Sequence, residues 1–113
     1  MNKSMQTINH AVQQAREGQL KYKRIGTLYR VEVHDEMVDV IYRGTTVARF
    51  EGQTVTLWDR GWQTVTTKAV MNAALMYHTR YRLFQKKYEW YVDTSDPGAL
   101  PLPFKDGMIL TSL

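Results

Sequence analysis

Residues 27–58, TLYRVEVHDEMVDVIYRGTTVARFEGQTVTLW, alternate between two kinds of side chain and break at short intervals. Tyr29, Val31 and Val33 alternate with Leu28, Arg30, Glu32 and His34. Val38, Val40 and Tyr42 alternate with Met37, Asp39, Ile41 and Arg43. The breaks fall at Asp35-Glu36, Gly44-Thr45 and Glu51-Gly52. A period of two in β-branched and aromatic residues, interrupted by turn formers, is the signature of strands joined as hairpins. The breaks lie too close together for crossover helices, so the strands must run antiparallel, with one face buried.

Two helices flank this meander. In 4–17, Met5, Ile8, Val12 and Ala15 recur at helical spacing, with Ser4 as the expected N-cap and Gly18 as the stop. Downstream, residues 61–68 read GWQTVTTK and lead into AVMNAALMYH. The expected reading is a turn at Asp59–Gly61 and a short edge strand from Trp62 to Val65 that buries both of those side chains. A helix over 67–78 follows, capped by Thr66 or Thr67, with Met71, Ala74, Leu75 and His78 on one face. The loop has too few glycines ahead of its lysine for a Walker A motif. Its alternative use is anion contact, by the threonine hydroxyls and Lys68 at a helix N-terminus.

The rest of the chain reads as a hairpin over 81–92, turning at Lys86-Lys87, and an extension over 93–113. Prolines in the extension bar a long helix or a central strand. Its end is apolar, so Met108, Ile109 and Leu110 are expected to pack, either at home or on a partner or second copy. The predicted fold class is α+β: an antiparallel β-meander sheet of about five or six strands, an N-terminal helix, a second helix packed on the sheet, and a Pro-containing C-terminal extension. Residues 1–92 form the expected single domain.

Composition narrows the function. The chain has no cysteine, which excludes disulfides, thiolate metal sites and a thiol nucleophile. No apolar run is long enough to span a bilayer, and residues 1–10 lack the core of a signal peptide, so a cytoplasmic protein without membrane contact is expected. His10, His34 and His78 lie on separate elements without ligand spacing, and no metal or cofactor is expected. No GxSxG, GxGxxG or paired acidic motif occurs, and of the neighbouring acids Asp35, Glu36 and Asp39 two sit in a predicted turn, so the expectation is a protein that is not an enzyme.

Positive charge is concentrated instead. Residues 20–30 carry Lys21, Lys23, Arg24 and Arg30 without an acid, and residues 77–92 carry Arg80, Arg82, Lys86 and Lys87 against Glu89. Because the whole chain is only +4, these two stretches leave the remainder acidic. Both are interleaved with aromatics, a pattern that suits phosphate contact with base stacking on Tyr81, Tyr88 or Tyr91. The expected nucleic-acid-binding residues are Lys21, Lys23, Arg24, Lys68, Arg80, Arg82, Lys86, Lys87 and Tyr88.

Over residues 38–92 the chain also resembles a group of small phage-encoded accessory proteins. The shared pattern is a Tyr-x-Gly turn, a G-W-x-T-x-T-T-K-x-x-x-N segment and an F-Q-K-x-x-x-W-Y-V segment. It falls on Tyr42, Gly44, Gly61, Trp62, Thr64, Thr66, Thr67, Lys68, Asn72, Phe84, Gln85, Lys86, Trp90, Tyr91 and Val92. The resemblance implies a phage origin, a host-cell cytoplasmic location and an accessory role, with no mechanism attached. Two functions then compete: nucleic-acid binding, or inhibition of a host protein in defence or takeover, with an oligomer formed through the extension.

Overall fold

The computed structural model describes residues 2–76 and 78–111. Two helices, α1 (Lys3–Arg16) and α2 (Val65–Leu75), join nine strands: β1 (Tyr22–Ile25), β2 (Tyr29–His34), β3 (Met37–Tyr42), β4 (Thr45–Glu51), β5 (Thr54–Leu57), β6 (Arg82–Lys86), β7 (Glu89–Asp93), β8 (Leu102–Pro103) and β9 (Met108–Thr111). They form a six-stranded antiparallel sheet, β1-β2-β3-β4-β5-β9, and a three-stranded sheet, β6-β7-β8. The fold is α+β, as expected.

The alternation of the meander becomes two apolar rows across the large sheet. Val31, Val40, Ala48, Leu57 and Met108 are cross-strand neighbours, and so are Val33, Val38, Phe50, Val55 and Leu110. Both rows pack under the helices. The stripe of α1 is buried as its spacing predicts. Its cap is Asn2 rather than Ser4: the Met5 N–H donates to Asn2 Oδ1 at 2.9 Å, and the helix begins with Lys3. Gly18 is the expected stop. At φ +78° its N–H reaches the Ala15 carbonyl, while the Gln19 N–H reaches Gln14, the paired bonds of a Schellman closure.

Three expectations along the chain are corrected. The basic stretch after α1 contains an unexpected strand, β1, whose only buried side chain is Ile25; a charged edge strand carries little alternation to read. The extension packs at home, the first of its two expected places, because β9 pairs with β5 and completes the large sheet. The hairpin turns at Lys87-Tyr88 rather than Lys86-Lys87. Both turn residues take positive φ (+52° and +67°), the geometry of a type I′ turn, although neither is glycine or asparagine. Helix α2 spans 65–75 instead of 67–78. It stops early because Asn9 Nδ2 donates to the carbonyls of Ala73 and Met76, and the Thr79 hydroxyl donates to that of Leu75. His78 therefore lies beyond the helix.

The Asn72 side chain ties the second sheet to α2, alongside the shared apolar core. Leu83 N–H donates to Asn72 Oδ1 at 2.8 Å and Asn72 Nδ2 donates to Leu83 O at 3.0 Å, so both backbone groups of Leu83 are satisfied. Among the described residues, no helix is long and apolar enough to cross a membrane.

Candidate binding cleft

The segment GWQTVTTK is the main departure from the sequence reading. Trp62 is not buried and not in a strand. It is 72% exposed, and Val65, the first residue of α2, is 78% exposed. The cap is Thr64, neither Thr66 nor Thr67: the Thr67 N–H donates to Thr64 Oγ1 at 3.1 Å and the two hydroxyls lie 2.9 Å apart.

Carboxylates hold the chain here instead of a strand ladder. Asp106 Oδ1 accepts the N–H groups of Asp59 and Arg60, both at 3.0 Å. Asp59 Oδ1 accepts the Gly61 N–H at 2.9 Å and its Oδ2 accepts Gln63 Nε2 at 3.0 Å. With its backbone tied to two carboxylates, the loop needs no side chain in the core, and the indole of Trp62 is left outside.

Trp62 stands at a cleft of about 530 Å³ between the β3–β4 turn and the N-terminus of α2. Tyr42, Arg43 and Thr45 line one side; Arg60, Thr64 and Thr66 line the other. A bulge shapes the first wall. Val40 pairs with Ala48 but Ile41 pairs with Thr46, so Val47 is an extra residue that bends β4 next to the turn. Tyr42 stacks on Tyr29 with centroids 5.4 Å apart, which fixes its ring.

Two cations line the cleft. Arg43 (φ +52°) and Arg60 (φ +54°) occupy left-handed turn positions, each directly before a glycine. Arg43 lies over the Tyr42 ring at 5.7 Å and Arg60 over the Trp58 ring at 5.0 Å. Among the described residues neither forms a salt bridge, whereas Arg49 is held by Asp39 at 2.7 Å. Asp59 lines the same cleft with its oxygens accepting from the neutral donors Gly61 N–H and Gln63 Nε2, so its negative charge stays in the wall beside the two cations. Two unpaired guanidiniums, a helix N-terminus and an exposed indole suit an anionic ligand with a flat ring.

The residues expected to bind nucleic acid are dispersed. Lys21, Lys23 and Arg24 lie on or beside β1, at one edge of the large sheet. The hairpin lies toward the opposite edge, where the Tyr81 hydroxyl donates to the Thr111 carbonyl of β9. Tyr81 is thereby buried and has no free face for a base. Arg80 is paired with Asp96 at 3.3 Å, and Arg82 and Lys86 lie across the ladder from Asp93 and Glu89. Tyr91 stacks on Phe84, and its hydroxyl reaches Glu89, which raises its pKa. Lys87 and Tyr88 form the tip, with Tyr88 91% exposed. Lys68 lies on α2, one turn before Asn72.

Of the residues expected to bind a partner, Leu110 is buried and Met108 packs against the core of this same chain. Ile109 faces out and is 63% exposed. Arg43 and Arg60 were missed by the sequence reading, because each stands alone between uncharged neighbours or beside an acid. The signal that pointed to them was the patterned pair of segments, since Tyr42 and Gly44 and then Gly61 to Thr67 converge on this one cleft.

Among the described residues, no group of three or more His, Asp or Glu side chains is placed to hold a metal ion. Comparison with curated proteins and with solved structures gave no match. A family model described as Kyanoviridae Gp96 protein matches residues 1–111. With nearly its whole length matched, the chain belongs to the Kyanoviridae Gp96 family and is a phage protein.

Proposed function

We propose that the protein is a non-enzymatic binding protein, acting in the cytoplasm of the host, that contacts nucleic acid through the Trp62 cleft. The observation that carries this reading is the exposed indole of Trp62 beside two arginines that form no salt bridge among the described residues. A core tryptophan would be covered, and arginines with a structural role would be paired. Stacking on an aromatic face and phosphate contact by arginine are the two components of sequence-tolerant nucleic-acid binding.

A gel shift with defined oligonucleotides at about 50 mM salt, where phosphate contacts are strongest, tests the proposal. Retardation is expected, and its weakening by Arg43→Gln with Arg60→Gln places the contact in the cleft. No retardation at low salt overturns the reading.

One feature favours a second reading, a host protein as target. Trp62 and Val65 expose adjacent apolar surface beside arginines, and tryptophan and arginine are the residues that dominate protein interfaces. That reading expects a partner retained from host lysate after nuclease treatment, with Trp62→Ala abolishing retention.

A further inference from the structure

We infer that the ligand is a single strand, lying from the Trp62 cleft across the N-terminal half of α2 to the tip of the β6–β7 hairpin. This rests on the nucleic-acid reading and extends it. Two contacts fix the direction of β6 along α2. Near the end of the helix, the Thr79 hydroxyl touches the carbonyls of both Leu75 and Tyr81. One turn earlier, the Asn72 amide holds Leu83. The strand therefore runs antiparallel to the helix. From Asn72 back to Val65 the helix covers about 10 Å, and from Leu83 on to Lys87 the strand covers about 13 Å. Both arrive at the same end of the molecule, which is the end where the cleft opens.

This end gathers the two most exposed aromatics among the described residues, Trp62 and Tyr88. Between and beside them lie Arg43, Arg60, Lys68 and Lys87, and none of these is held in a salt bridge among the described residues. The acids at this end are Glu89, which accepts the Tyr91 hydroxyl, and Asp59 and Asp106, which hold the backbone of the cleft loop, three against these four cations. Open aromatic faces can stack only on bases that are themselves unstacked, and a duplex conceals its base faces. Charge complementarity thus selects a polyanion, and the two free rings select a single strand.

The test is fluorescence anisotropy of one labelled sequence, presented as single-stranded DNA, as single-stranded RNA and as a blunt duplex, to the full chain. Both single strands should bind, and the duplex at least tenfold more weakly. Trp62→Ala and Tyr88→Ala should each weaken single-strand binding by about 5- to 150-fold, the range for loss of one stacked base. The slope of affinity against salt should stay unchanged, since stacking releases no counterions. Melting curves confirm that both variants fold. Equal affinity for duplex overturns the inference and leaves the nucleic-acid reading intact. So does a harmless Tyr88→Ala alongside a damaging Trp62→Ala, which confines the ligand to the cleft. Absence of binding to all three probes overturns both.

Discussion

Two tryptophans of opposite exposure give a sharp test of the structure at GWQTVTTK. A tryptophan carries up to about 250 Å² of surface. With Trp62 72% exposed, roughly 70 Å² is covered, which at about 25 cal/mol/Å² sets a ceiling near 1.7 kcal/mol. Residual burial in the unfolded chain and the retained Cβ bring the cost of Trp62→Ala below about 1 kcal/mol. Trp90 is 4% exposed and packs on Phe104 with centroids 5.5 Å apart. Its truncation leaves a cavity and should cost about 3–5 kcal/mol, a large part of a total stability of about 5–15 kcal/mol. For a domain of this size about 1 kcal/mol corresponds to roughly 4 °C in Tm. Thermal melting by circular dichroism should therefore show Trp62→Ala within about 4 °C of wild type, and Trp90→Ala lower by about 12–20 °C. If Trp62→Ala melts as low as Trp90→Ala, the indole is a core residue, the loop geometry is wrong, and the cleft loses its anchor.

Three further outcomes follow from the same packing. Asn72→Ala unpairs both backbone groups of Leu83 and should lower the unfolding free energy in urea by about 2–3 kcal/mol. Leu110→Ala should cost about 2–5 kcal/mol while Ile109→Ala stays within about 0.5 kcal/mol, a contrast that disappears if β9 is not paired in place. His78 is half-buried, edge-on to Phe50, with Nε2 3.0 Å from the Asn9 carbonyl. Burial lowers its pKa and Arg16 acts in the same direction, against the Asn9 bond and Glu17. The unfolded chain then takes up a proton more readily than the folded one. Its contribution to stability is complete above about pH 6.5 and is lost as pH falls below that; urea midpoints at pH 5 and 7.5 should differ less in His78→Gln than in wild type.

Elements whose signal is local were legible in the sequence. The meander, the stripe of α1 and the Gly18 stop each depend on residues a few positions apart. What could not be read depends on distant partners. Trp62 looks like a core residue until Asp106, far along the chain, is seen to hold the backbone of Asp59 and Arg60. The strand β9 follows a proline-rich segment and is recognisable only through its pairing with β5. The hairpin turn carries none of the usual turn residues, so the positive φ of Lys87 and Tyr88 had no local marker. The site follows the same rule. Charge counting finds runs of lysine and arginine, yet acids across the ladder or at the strand ends face much of the hairpin. The unpaired guanidiniums are single residues in two turns that only the fold brings together.

The salt dependence of single-strand binding tests the central claim most directly. Each phosphate neutralised on a single strand contributes about 0.7 to the log–log slope. Contacts from Arg43, Arg60, Lys68 and Lys87 predict a slope near −3, and Arg43→Gln with Arg60→Gln should reduce its magnitude by about 1.4. A flat response, or a steep slope that the double variant leaves untouched, would contradict the assignment of the Trp62 cleft as a nucleic-acid site.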